Sequence, residues 1–339
     1  MRVLISAGEP SGDLLGAELA RGLRERLPEL ELAGLAGPAM REAGVEAIAR
    51  VEDLSVMGVV EVLAELPRIL KVRSAMFEAL QAELLVVVDA PDFNLPLARR
   101  AVAAGIPVVF LGSPQVWAWR AGRAAEIAEL AQEVICLLPF EPPIYEALGA
   151  RARFLGHPAA GRVRWSEPGQ GTALLPGSRG SELSRLLEPM LEAAQELSGP
   201  LRLGRAPGAE LPDLPENIEV VEGLEAAARP SARALVASGT ATLELACMGR
   251  PMVVAYKVNP ITYAIGKALV DGVEHIALPN LILGRRAVPE LLQDFQAADL
   301  VQALEGVEAQ LPDLAEVRDL LRGEGAVERI ADAVAEHLA

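Results

Sequence analysis

VLISAGEPSGDLLGAELARGLRER (3–26) is the stretch from which the fold can be read. VLIS (3–6) is a short apolar run that leads through a glycine-rich turn into Leu14–Arg26, which is amphipathic at helical spacing. The pattern recurs. LLVVVD (84–89), VVFL (108–111) and VICLL (134–138) come next, at spacings that leave room for crossover helices. A second series begins with ALLPGSR (173–179) and continues through IEVVEG (218–223), ALVASGT (234–240) and PMVVAY (251–256). These runs are continuous rather than alternating, as parallel strands covered on both faces require. The fold class is therefore α/β, with two Rossmann-like, doubly wound domains rather than one mixed sheet.

A length of 339 residues agrees with two domains. Glycine and proline concentrate from Gly156-His157-Pro158 to Gly171, which puts the boundary between about 157 and 171. The expected domains are residues 1–160 and 170–320, with 321–339 a terminal helix that packs back on the first. Two such domains facing each other leave a cleft at the carboxyl ends of their strands, where open α/β sheets bind ligands.

Composition narrows the chemistry. Hydrophobic residues make up 51% and charged residues 23%, which excludes general disorder. Aromatic residues are only 4% and the net charge is −16, so neither base stacking nor a broad nucleic-acid face is expected. Cys136, Cys247 and the three histidines have no metal-ligand spacing, so no metal and a reducing, cytoplasmic setting are expected. Val3–Ala7 is too short for a signal-peptide core. Ala101–Trp119 is uncharged, but Gly105, Pro107, Gly112 and Pro114 make it a strand and loop rather than a span.

Four turns carry candidate chemistry. GEPSGDLLG (8–16) matches neither the dinucleotide nor the P-loop pattern, and it delivers Glu9, Ser11 and Asp13 to a helix start. Helix capping is the alternative role for Ser11 and Asp13. DAPDFN (89–94) puts Asp89 at the end of a parallel strand, where partial desolvation raises basicity; Asp89 is a candidate general base, and Asp92 or Asn94 caps the next helix. A solvated turn is the other reading. LPGSRGSE (175–182) offers backbone N–H groups and Arg179 to a phosphate. SGTATLE (238–244) repeats that design, with Thr240 and Glu244 on one helical face, a hydroxyl for phosphate and a carboxylate for a sugar diol. Together they suit a nucleotide diphosphate, although each alone is also a capped helix.

SPQVWAWRAGR (113–123) gathers two tryptophans with Arg120 and Arg123, for packing or for an anionic substrate. Val56–Arg73 is strongly apolar and ends in cations. Its Val56, Met57, Val60, Leu63, Leu66, Arg68, Lys71 and Arg73 suit an anionic membrane or a lipid chain, and equally an amphipathic helix packed on a sheet.

In order along the chain, GEPSGDLLGA, GLAGPAM (34–40), VMGVVEVLAELPRIL (56–70), DAPDFN, SPQVWAWR, LPFE (138–141), FLGHP (154–158), LPGSRGSE, SGTATLE, PMVVAYK (251–257) and LPNLI (278–282) resemble the lipid-A-disaccharide synthase family. The resemblance spans residues 1 to about 290. It departs at Pro10, where alanine is usual, at Gln115, where serine is, and in shorter stretches near 161–171 and 199–217. What it implies is a GT-B glycosyltransferase that works without metal or cofactor. The donor would be UDP-2,3-diacylglucosamine, the acceptor 2,3-diacylglucosamine 1-phosphate, and the product a β-1,6-linked disaccharide. By the same resemblance Glu9, Ser11, Asp89, Arg179, Glu182 and Asn280 match functional positions, with Asp89 or Glu9 as catalytic base. Ser238, Gly239 and Thr240 would face the diphosphate, and Glu244 the ribose by GT-B analogy. The family partner is the inner face of the cytoplasmic membrane, not nucleic acid; a homodimer is left open. A soluble UDP-N-acetylglucosamine 2-epimerase shares the sheets and phosphate turns, and a noncatalytic binder is the third alternative.

Overall fold

Parallel strands and crossover helices build two compact units, Met1–Pro158 with Gly325–Ala339, and Ala159–Glu324. The structure, a computed structural model, describes all residues except 55–58, 113, 115–121, 207, 260–262, 264–273 and 339, and for 59–66 the backbone alone.

Among the described residues the first unit holds a seven-stranded parallel sheet. Its strands are β1 (Arg2–Ala7), β2 (Glu31–Ala36), β3 (Glu46–Arg50), β4 (Leu84–Val88), β5 (Val108–Leu111), β6 (Glu133–Cys136) and β7 (Ala152–Phe154). Their order is β3-β2-β1-β4-β5-β6-β7. Every residue of β4 and β5 is buried, as their unbroken apolar runs require. Helix Pro10–Arg26 packs on β1 and on the helix after β2, and buries Leu15, Leu19 and Leu23. Helix Val59–Glu78 turns Val72 and Met76 inward, one helical turn apart, and leaves Arg68, Leu70 and Lys71 exposed. From Pro67 onward it is thus an amphipathic helix packed on a core.

The chain returns to this unit at its end. Helix Ala326–Ala335 buries Ile330, Ala331, Ala333 and Val334 against helix Pro10–Arg26. Arg26 fastens the pair, bonding the Asp332 carboxylate and donating from Nη2 to the Glu328 carbonyl at 2.9 Å. Beyond it Glu336 pairs with Arg151 at 2.7 Å and with Arg153 at 3.1 Å, and His337 Nε2 meets the fully buried Glu133 at 2.8 Å.

The second unit holds, among the described residues, six parallel strands. They are β8 (Thr172–Leu175), β9 (Leu201–Arg205), β10 (Ile218–Glu222), β11 (Arg233–Ala237), β12 (Met252–Tyr256) and β13 (Glu290–Leu292), in the order β10-β9-β8-β11-β12-β13. The glycine- and proline-rich stretch before β8 is bonded to the second unit. Ser166 N donates to Met248 O, Gly169 N to Ser231 O and Gln170 N to Pro230 O. Trp165 lies on Gly249, whose φ of 67° and missing side chain make room for the indole, and Arg318 sits 4.9 Å from the ring centre.

Candidate active site

Each sheet has one place where successive connections leave in opposite directions. In the first unit it lies between β1 and β4, and in the second between β8 and β11. The carboxyl ends of strands at such switch points form the crevice in which doubly wound sheets hold ligands.

At the first switch point Ala7 pairs with Val88, so the turns after these two strands emerge side by side. They touch. A β-carbon on Gly8 would lie 2.3 Å from that of Ala90, so only glycine admits this approach. Glu9, Ser11 and Asp89, in and just after these adjoining turns, are exposed. Ser11 does not cap the helix: Glu9 occupies the cap position with extended backbone (φ −143°), no side chain caps, and Pro10 opens the first turn. Asp13, 3% exposed, is withdrawn from the edge. Its carboxylate accepts from Gly37 N, Ala39 N and Met40 N at 2.8, 2.9 and 3.0 Å, capping the neighbouring helix Pro38–Glu42 rather than its own.

Asp89 stands in an unusual conformation. It and Ala90 both have φ of 45°, the left-handed region that side-chain-bearing residues avoid at a cost of roughly 1–3 kcal/mol each. The partial desolvation expected for Asp89 is not what this unit provides, since Asp89 projects from the strand end and is exposed. Neither residue expected to cap the next helix does so. Asp92 bonds Arg123. Asn94 points inward and is completely buried with Ser6.

At the second switch point Leu175 pairs with Val236, which sets the turn 176–179 beside the turn 238–240. The first is fastened by Glu182. Its carboxylate accepts from Ser178 N at 3.2 Å and Arg179 N at 3.3 Å and meets Arg179 Nη1 at 3.2 Å. The N–H groups expected to hold phosphate therefore donate to Glu182, which a phosphate has to displace. The second helix starts at Ala241, not near Ser238, and has seven residues. Ser238 is a strap, its hydroxyl donating to Ile276 O at 3.1 Å. Gly239 takes φ 153°, Thr240 is exposed, and Glu244 lies 3.8 Å from Arg162 Nη1.

Asn280, expected to touch substrate, is fully buried, with its amide used within the unit. Nδ2 donates to Val288 O and to Glu290 Oε1, both at 2.9 Å; Oδ1 accepts from Ala287 N and Val288 N. Glu290 also accepts from Ile276 N and Ala277 N. Asn280 and Glu290 thus fix the segment on which Ser238 rests. Tyr256 is a residue to which the sequence motifs assign no role. It ends β12 near both groups of the Arg179–Glu182 pair; burial pushes its phenol up, Glu182 adds to this and Arg179 opposes it.

Val56, Met57, Gln115 and Arg120 lie outside the described residues, as do the side chains of Val60, Leu63 and Leu66. Arg68 pairs with Asp53 at 2.6 Å, Lys71 is exposed and Arg73 half-buried. Burial pushes both cysteine thiols up, which removes them as nucleophiles. Among the described residues no three His, Cys, Asp or Glu side chains gather as a metal site would need, and no helix is long and apolar enough to cross a membrane.

Solved structures share the fold across nearly all of the chain. The glycotransferase of kitacinnamycin superposes with a TM-score of 0.67 at 19% identity, covering 100% of this chain and 99% of that one. The UDP-GlcNAc 2-epimerase of Neisseria meningitidis superposes at 0.62 with 12% identity, over 100% and 99%. Transferases and epimerases are thus alike in fold, and sequence separates them. The family model for lipid-A-disaccharide synthetase matches residues 3–202 and 217–314. The lipid-A-disaccharide synthase of Anaeromyxobacter dehalogenans strain 2CP-C is 42% identical over 98% of this chain and 96% of its own length.

The chain belongs to the lipid-A-disaccharide synthetase family.

That of Pseudomonas paraeruginosa is also 42% identical, over 87% of this chain and 85% of its own. The synthetase-family chain is therefore a glycosyltransferase of GT-B architecture, and the epimerase alternative is set aside. The family match covers both switch points, with Glu9, Ser11 and Asp89 on one and Arg179, Glu182 and the 238–240 turn on the other.

Proposed function

We propose that this chain transfers 2,3-diacylglucosamine from its UDP conjugate to 2,3-diacylglucosamine 1-phosphate, yielding UDP and the β-1,6-linked tetra-acyl disaccharide 1-phosphate. The observation that carries this reading is the juxtaposition of the Glu9 and Asp89 turns at the β1/β4 switch point, inside a family match that covers most of the chain. Inversion at the anomeric carbon needs in-line attack by the acceptor 6-hydroxyl and a base for its proton. Asp89 is that base, and Glu9 beside it is the rival. Arg179 and the turn 238–240 stabilise the negative charge growing on the departing diphosphate. Opening the Arg179–Glu182 pair frees both the guanidinium and the Ser178 and Arg179 N–H groups for it. Glu244 holds the ribose. No step requires a metal.

The first unit takes the acceptor and meets the inner face of the cytoplasmic membrane through helix Val59–Glu78; the second binds the UDP-sugar. Exposed Leu70 and Lys71, neighbours on the outward side of that helix, support membrane contact. The test is UDP release by the purified protein in EDTA, with and without acceptor, and the mass of the lipid fraction. Acceptor-dependent UDP with a disaccharide mass is expected. UDP released equally without acceptor would mean hydrolysis.

A further inference from the structure

We propose that Asn94 and Ser6 are a positioning pair that holds the left-handed Asp89–Ala90 turn and so aims Asp89 at the acceptor hydroxyl. This rests on the reading of Asp89 as the base.

A left-handed conformation at two successive residues with side chains survives only where the surroundings over-determine it. Asn94 supplies that constraint from below. Its Nδ2 donates to Asp89 O at 2.7 Å and stands 3.2 Å from Val88 O and 3.3 Å from Ser6 O. The Ser6 hydroxyl donates to Asn94 Oδ1 at 2.7 Å, and this fixes which way the amide faces. Flipped, the amide oxygen would confront three carbonyl oxygens. Phe93 N and Asn94 N both donate to Ala90 O, so the helix that carries Asn94 is tied to the same turn.

Ser6 and Asn94 are both 0% exposed. A leucine has the shape of asparagine and would fill the site without polar atoms to satisfy, so filling space does not explain an amide here. What the amide does is gather the carbonyls of Ser6, Val88 and Asp89 at the point where Asp89 leaves the sheet. Without it the turn relaxes toward the right-handed region and the Asp89 carboxylate moves off the line of attack. Displacements of about 1 Å cost on the order of 100-fold in rate.

The experiment compares Asn94→Leu, Ser6→Ala, Asp89→Asn and the double variant Asp89→Asn/Asn94→Leu in the full chain. It measures kcat, KM for donor and acceptor, and thermal melting. Asn94→Leu is expected to melt cooperatively and to lose about 100-fold in kcat, with both KM values within about threefold of wild type. Ser6→Ala, which removes one oxygen, is expected to fold and to lose about fivefold in kcat at unchanged KM. The double variant is expected to be no slower than Asp89→Asn, because aiming matters only while there is a base to aim.

A folded Asn94→Leu with wild-type kcat overturns the proposal. So does a full additional loss in the double variant, and if Asn94→Leu does not fold, wild-type kcat in Ser6→Ala overturns it. In each of these cases a slow Asp89→Asn leaves the base assignment standing. Wild-type turnover in Asp89→Asn refutes that assignment, and the positioning proposal with it.

Discussion

Asp13 and Asn94 both lie in motifs that look catalytic, and both side chains are wholly absorbed by the fold. Asp13 closes three N–H groups at the start of a short helix, contacts that no periodicity of the chain reveals because the partners are 24 to 27 residues away. Removing a buried carboxylate with three backbone donors leaves those donors unpaired. Asp13→Ala is therefore expected to lower stability by roughly 2–4 kcal/mol, read from the midpoint of urea unfolding; an unchanged midpoint would contradict the cap. Glu9, Ser11 and Asp89 remain exposed at the strand ends, a position legible because a polar group soon after a buried parallel strand has few other places to go. Asn280 was not legible in this way. Its motif marks the position, and only the packing of residues 287–290 around its amide shows that the amide is bonded within the unit.

Elements with continuous apolar runs, β1, β4, β5, β6, β8, β11 and β12, could be read directly from sequence, because burial on both faces demands such runs. β2 could not. ELAGLA is buried at five of its six positions, yet alanine and glycine carry little strand preference. β3, β7, β9 and β13 are short or mix charged residues with apolar ones, as strands at or near sheet edges do. Composition does not reveal that the stretch before β8 is held to the second unit by Trp165 and its hydrogen-bonded neighbours. At the other end, Glu336 anchors the terminal segment. Hydrogen bonds from Arg153, then Arg151, hold its carboxyl below the ordinary 4.5. A depressed folded value stabilises above pH 4.5 and ceases to as pH falls through it. Glu336→Gln is thus expected to melt below wild type at pH 7, with the gap closing as pH drops under 4.5. A gap that persists or grows in acid would exclude the ion pairs as its cause. The half-exposed side chains keep the effect small.

At the scale of the whole molecule, a net charge of −16 opposes any anionic surface. The proposed membrane contact therefore depends on the exposed Leu70 and Lys71 of helix Val59–Glu78, and is screened by salt. Cosedimentation with phosphatidylglycerol vesicles is expected at low salt, to fall as salt rises and to be lost in Lys71→Glu/Leu70→Ser. Equal sedimentation of that variant would move the contact elsewhere. Fold alone does not choose a reaction for this molecule, since transferases and epimerases both superpose on it. What chooses is the family match, and the proposed chemistry assigns the carboxylates of one switch point to the acceptor and the groups of the other to the diphosphate. The most direct test of that account is the turnover of Asp89→Asn with UDP-2,3-diacylglucosamine and its acceptor, donor binding being measured in parallel. The account predicts wild-type folding and donor affinity with turnover reduced about 100-fold or more, in the range of a lost general base. Wild-type turnover would contradict it.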